Sequence, residues 1–209
     1  GQNGKGAVGP TPTIDVSGVS WTIDVSSASL TATTDWFQVV SEIFEARDID
    51  GNAYWLSPSI DISAYTNVSI SLDAAEDGTM EASDIFVTEY RIDGGAWTQA
   101  STNGSLNDDF TSATVSESGL SGSSLEIRVT MNNGAGSEYH KLDNVLVQGT
   151  LASSDTRVNF ASSSATVNEG DGTYDLTLSI TNEDATNATT CSVAIVAGGT
   201  GTAADVNNY

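Results

Sequence analysis

Apolar residues recur at every second position along this chain, and no stretch keeps them at the helical period for three turns. Alternation of period two puts successive side chains on opposite faces of an extended strand, so one face can be buried while the other meets water. Val19, Trp21, Ile23 and Val25 form one such row. Val68, Ile70, Leu72 and Ala74 form another, with Ser69, Ser71 and Asp73 facing out. Leu125, Ile127, Val129 and Met131 repeat it, with Glu126, Arg128 and Thr130 opposite. The segment from Ile85 to Ile92 has bulky residues on both faces, which suits a strand inside a sheet. Asp93-Gly94-Gly95 then predicts a tight hairpin turn into Ala96-Trp97-Thr98. Leu142 to Val147 reads as the last strand of a first domain, and the Gly- and Ser-rich stretch after it as a short linker. Strands at this spacing, joined by small polar turns, predict an all-β chain built as a β-sandwich.

Charge narrows the partners. Six Lys and Arg stand against 28 Asp and Glu, a net charge of −22 over 209 residues. A polyanion of this kind is repelled by nucleic-acid backbones and by anionic membranes, so neither is expected as a partner. The balance suits a soluble protein exported to the extracellular space or cell surface, a binder of divalent cations, or a protein living in salty water. Disorder is the other reading of high net charge, but the repeated apolar rows, four Trp and six Tyr argue for a packed core. No apolar run is long enough to insert in a membrane as a helix, and no leader is visible at Gly1-Gln2-Asn3-Gly4-Lys5. The one cysteine, Cys191, is in phase with Val193 and Ile195 and reads as a small core residue.

Three kinds of chemistry are open to such a chain. Calcium wants several oxygen ligands on loops that can wrap it. Glu45, Asp48 and Asp50, with Asp143 in the closing strand, offer them; Asp48-Ile49-Asp50-Gly51 is not an EF-hand loop, because its twelfth position is Ser59. Sugar binding needs aromatic faces with polar neighbours. Trp21 and Trp55 lie in strong strand patterns and belong to the core, whereas Trp97 after the hairpin and Tyr139 in Ser137-Glu138-Tyr139-His140 are the better ligand-binding candidates. Catalysis has the weakest case. His140 is the only histidine, no nucleophile is marked, and no zinc spacing or phosphate loop is present. Asn67-Val68-Ser69, Asn103-Gly104-Ser105 and Asn187-Ala188-Thr189 fit the glycosylation triplet, as chance allows in so Asn- and Ser-rich a chain.

Two resemblances organise the chain. Residues 1–150 contain Phe44-Glu45-Ala46-Arg47-Asp48-Ile49-Asp50-Gly51, then Trp55-Leu56-Ser57-Pro58-Ser59-Ile60-Asp61-Ile62-Ser63, and close on Glu138-Tyr139-His140-Lys141-Leu142-Asp143-Asn144-Val145. This resembles the secreted jelly-roll modules of Bacteroidetes, akin to carbohydrate-binding and MAM-type sandwiches. The resemblance implies a calcium joined by the closing-strand Asp143 and by early-loop carboxylates such as Asp48 and Asp50. After a linker at 151–156, residues 157–209 carry Arg157-Val158-Asn159-Phe160, Ala165-Thr166-Val167-Asn168-Glu169-Gly170 and Gly199-Thr200-Gly201-Thr202-Ala203-Ala204-Asp205. They resemble the first half of a Calx-β domain, an immunoglobulin-like sandwich. That likeness implies closing strands beyond Tyr209 in a longer polypeptide, and calcium contacts at Glu169 and Asp205. The family's acid before the final Tyr is Asn208 here, which weakens such a site.

The resulting expectation is a non-catalytic binding, adhesion or spacer region of a larger secreted or cell-surface bacterial protein. Its partner would be a polysaccharide or a cell-surface protein, alongside further domains of the same polypeptide. The alternative is an accessory region of a secreted hydrolase or nuclease whose catalytic domain lies outside this chain.

Overall fold

A computed structural model describes residues 2–152, 156–163, 166, 175 and 177–182. The chain divides into two compact units, residues 1–152 and 153–209. The described residues contain strands and turns and no helix, so none is available to cross a membrane.

The first unit holds thirteen of the strands. They are β1 (Gly6–Val8), β2 (Thr22–Ser27), β3 (Trp36–Val40), β4 (Ile43–Arg47), β5 (Asn52–Leu56), β6 (Ile60–Asp61), β7 (Tyr65–Asp77), β8 (Ile85–Ile92), β9 (Thr98–Gln99), β10 (Ser105–Asn107), β11 (Ser112–Leu120), β12 (Ser124–Asn132) and β13 (Tyr139–Leu151). One sheet runs in the order β1-β3-β4-β13-β7-β11, the other β10-β8-β12-β5-β2, with β6 added to β12 and β9 to β8. Every pairing is antiparallel. The two inner faces share one core. Phe37, Leu72 and Val115 from the first sheet and Phe86, Leu125, Ile127, Val129 and Met131 from the second are all at most 1 % exposed. Trp21 packs edge-on to Phe44, and Trp55 lies beside it, so both tryptophans belong to the core as their strand positions predict.

The alternating rows account for this directly. Val68, Ile70, Leu72 and Ala74 face in from β7, and Leu125 to Met131 face in from β12. β8 has strands on both sides, as its two bulky faces predict. The turn after it is of type I′: Asp93 and Gly94 both have positive φ, and the Gly95 N–H donates to the Ile92 carbonyl. The closing strand departs from the sequence reading. β13 starts at Tyr139 and runs to Leu151, pairing Thr150 with Thr66 and Leu151 with Tyr65, so pairing continues through residues expected to be linker. A bulge after Asp143, with Asn144 at φ 52°, also breaks the alternation and turns Val145 and Leu146 to solvent.

In the second unit, β14 (Arg157–Phe160) pairs antiparallel with β15 (Leu178–Thr181). Glu169 and Asp205 lie outside the described residues.

Candidate functional site

Three arrangements of polar and aromatic side chains stand out in the first unit, two on the outer faces of the sheets and one at an end.

On the outer face of the second sheet, β8 and β12 place four charges in a checkerboard. Arg91 lies opposite Glu126 and Arg128 opposite Glu89 in the strand register. Each pair forms a salt bridge, at 2.8 Å for Arg91–Glu126 and 2.6 Å for Arg128–Glu89. Glu126 holds the Arg91 guanidinium above its ordinary pKa, and Arg91 in turn holds the Glu126 carboxyl below its own. Trp97 is carried back over this block by the Asp93-Gly94 turn. Its ring centre lies 4.6 Å from the Arg91 guanidinium and 4.5 Å from that of Arg128. Arg128 also lies 5.5 Å from the Tyr54 ring of β5. The result is a half-buried row, Tyr54–Arg128–Trp97–Arg91, on a solvent-facing sheet.

The first sheet carries a related stack. Arg47 lies 4.8 Å from the Trp36 ring and 5.4 Å from the Tyr139 ring, and the two rings are 6.2 Å apart. The Trp36 Nε1–H donates to Glu45 at 2.9 Å, and the Arg47 Nε–H donates to the Gly136 carbonyl at 2.9 Å. Lys141 pairs with Asp77 beside them. Trp97 and Tyr139, the sequence-level ligand candidates, are therefore each packed on arginine rather than projecting freely. Local spacing does not pair these arginines with the rings, because cross-strand register brings them together.

The third arrangement lies where the loops between β7 and β8 and between β12 and β13 meet. Glu81, Asp84 and Glu138 bring carboxylate oxygens within 4.8 Å of one another. Asp84 and Glu138 are buried, at 4 % and 3 % exposure, while Glu81 is exposed. Each buried acid is gripped through one oxygen by its own turn. Asp84 accepts from the Glu81 N–H at 2.7 Å, and Glu138 accepts from the Gly134 and Ala135 N–H groups at 3.1 and 2.9 Å. Asp84 and then Glu138 push the Glu81 carboxyl above its ordinary pKa. The two loops approach closely because Gly78 has no side chain: a Cβ there would stand 2.6 Å from the Ser137 carbonyl oxygen, and its φ of 112° suits glycine. Asn133, fully buried, ties the second loop down by donating to the Ala46 and Glu138 carbonyls.

His140 lies two residues beyond Glu138, with its ring stacked on Phe110 and edge-on to Phe86. It is fully buried, neither nitrogen has a hydrogen-bond partner, and burial pushes its pKa down to about 4 against a small opposing effect of Asp84. Across the strand register it faces Glu76, whose Oε1 accepts from the Phe110 and Thr111 N–H groups while Oε2 is buried without a partner.

The residues expected to share a calcium are placed differently. Glu45 is committed to Trp36. Asp48 and Asp50 share the loop after β4, both with positive φ, and the Asp48 carboxyl is pushed up by burial and by Asp35 and Asp50. Asp143 is exposed beside Asp73 and bonds the Asn144 N–H. Tyr139 pairs with Arg47, so Asp143 stands four residues along β13 from the Asp48 end, roughly 13 Å at strand rise. Among the described residues, no three of these acids converge.

No family model matches the sequence, and no curated protein does. Among solved structures, the chain is similar to the K3 cleaved adhesin domain of Lys-gingipain from Porphyromonas gingivalis, at 11 % identity and a TM-score of 0.38, covering 62 % of this chain and 91 % of that one. It is also similar to a family 16 carbohydrate-binding module, at 11 % identity and a TM-score of 0.33, covering 63 % and 87 %. Identity and overlap at this level transfer neither ligand nor site residues to this chain.

Proposed function

We propose that the first unit is a non-catalytic binding module of an exported, extracellular or cell-surface protein, and that it takes a glycan on the outer face of the β8–β12 sheet. The observation that carries this reading is Trp97 laid over Arg91 and Arg128. An indole packed on two guanidinium groups keeps its place without a ligand, so little ordering cost remains when a sugar ring stacks on it. The guanidinium and carboxylate groups around it supply donors and acceptors for hydroxyls, and Tyr54 extends the row. The Trp36–Arg47–Tyr139 stack offers a second surface of the same chemistry.

Catalysis finds less support. His140, the sole histidine, is buried among aromatic rings rather than set beside a nucleophile. The secreted Bacteroidetes-type origin, the Calx-β character of residues 157–209 and the presence of further domains in the parent polypeptide belong to this reading on the sequence resemblances alone. A calcium joining Asp143 to the Asp48–Asp50 loop, as the resemblance implies, would have to bridge roughly 13 Å of strand.

Affinity electrophoresis of the full chain through neutral and sulfated polysaccharides tests the proposal. Retardation by at least one polymer, lost in Trp97→Ala and kept in Tyr65→Ala, is the expected result. Equal retardation of the wild-type and Trp97→Ala chains would remove the sheet face from the account.

A further inference from the structure

We infer that the β8–β12 face takes neutral polysaccharide and turns away sulfated and uronic-acid polymers, an inference that names the substrate class of the glycan surface and rests on that reading. The charges on the face decide it. The strands of the second sheet contain two basic residues, Arg91 and Arg128, and no Lys. Both are already committed. Arg91 donates through Nε and Nη2 to the two oxygens of Glu126, at 2.8 and 2.9 Å. Arg128 donates through Nε and Nη2 to Oε2 of Glu89, at 2.9 and 2.6 Å. A sulfate or carboxylate on a sugar would meet each guanidinium with a carboxylate already on it. The new attraction would then be set against a repulsion of similar size. The pairing is also stable to pH around neutrality, because Arg91 and Glu126 each favour the other's charged form.

The surroundings push the same way. At the margins of the face the further charges are acidic: Asp24 of β2 lies opposite Tyr54, and Asp61 of β6 lies opposite Ser124, both exposed. The chain as a whole carries a net charge of −22, so a polyanion is repelled before it reaches the tryptophan.

Neutral hydroxyls meet the opposite conditions. Each guanidinium gives two N–H groups to its Glu and has others to offer, while Glu89 is engaged by Arg128 through Oε2 alone. The face therefore presents donors and acceptors side by side without a net charge at its centre. A hydroxyl both donates and accepts, so it suits either kind of partner. Neighbouring rungs of the register add uncharged groups: Gln99 stands opposite Glu89, and the Asn132 amide donates to Asn52 at 3.2 Å. Trp97 supplies stacking for the apolar face of a sugar ring, which needs no charge on the ligand.

The test is affinity electrophoresis of the full chain in polymers that share a backbone and differ in charge: hydroxyethylcellulose against carboxymethylcellulose, dextran against dextran sulfate, and laminarin against sulfated laminarin. At least one neutral polymer should bind the wild type, through Trp97, at least about tenfold more tightly than its charged counterpart. Glu89→Gln removes the carboxylate paired with Arg128 and should shift the ratio of charged to neutral affinity at least about tenfold toward the charged polymer. Glu126→Gln should do the same through Arg91, which keeps the test open if one variant does not fold. Trp97-dependent retardation by a charged polymer, equal to or above that by its neutral counterpart, would overturn the inference and leave the glycan reading standing. So would a neutral preference that neither Glu variant shifts. Retardation by no polymer, or retardation that ignores Trp97, would overturn both.

Discussion

His140 makes the acid stability of this protein predictable from one residue. In the unfolded chain its imidazole titrates near 6.5, whereas burial lowers it to about 4 in the fold. The unfolded chain therefore binds the extra proton between those values, and stability falls as pH drops through that window. Linkage puts the loss at about 2 kcal/mol by pH 5 and about 3 kcal/mol by pH 4, a large fraction of a typical domain's stability. Asp15, Asp24 and Asp61 act lower down: serines two residues on hold their carboxyls below the ordinary 3.8, so their contribution is present above that value and fades as pH falls through their lowered pKa values. Asp48 and Glu81, with raised pKa values, act in the opposite sense, since protonation relieves them in the fold. Because His140 is the only histidine, its ring gives a single set of imidazole resonances. Those resonances should stay near the neutral position from pH 7 down to about pH 5. Urea melts of His140→Phe, which keeps the ring stack, should lose about 2 kcal/mol less than wild type between pH 7 and pH 5. An imidazole that titrates near 6.5 in the folded chain would refute the reasoning, whatever the melts show.

Other consequences are as direct. Phe86→Ala should cost about 3–5 kcal/mol in denaturant melts, since the ring is wholly buried between the sheets. Gly78→Ala should destabilise the chain by at least about 1 kcal/mol, because the new methyl meets a backbone oxygen and φ is positive. Arg128→Ala should cost about 1–2 kcal/mol and release Trp97, seen as a red shift of tryptophan emission, since it loses two aromatic contacts and a salt bridge.

Much of the fold was legible because burial on a sheet obeys a strict period of two. Rows such as Val68 to Ala74 and Leu125 to Met131 could sit only one way, and Asp93-Gly94 specified its turn by backbone chemistry. The end of β13 is hidden in the sequence because Gly149 and Thr150 look like linker by composition, whereas Thr150 pairs with Thr66 and Leu151 with Tyr65. The site was less legible for a physical reason. Trp97 could be singled out by its place after a turn, but the arginines beneath it come from two strands, 37 residues apart in sequence, and meet only through register. Glu81, Asp84 and Glu138 likewise come from two loops brought together by Gly78, and nothing in a chain with 28 acids marks these three. The resemblance groups Asp143 with Asp48 and Asp50, whereas strand length sets Asp143 away from the loop the other two share.

The most direct test of the binding account follows a single polysaccharide in both phases of one incubation with the full chain. Wild-type protein should be retained on the polymer, Trp97→Ala should bind at least tenfold more weakly, and the polymer should release no new reducing ends or unsaturated products. Product release by the wild-type chain, or retention that ignores Trp97, would contradict it.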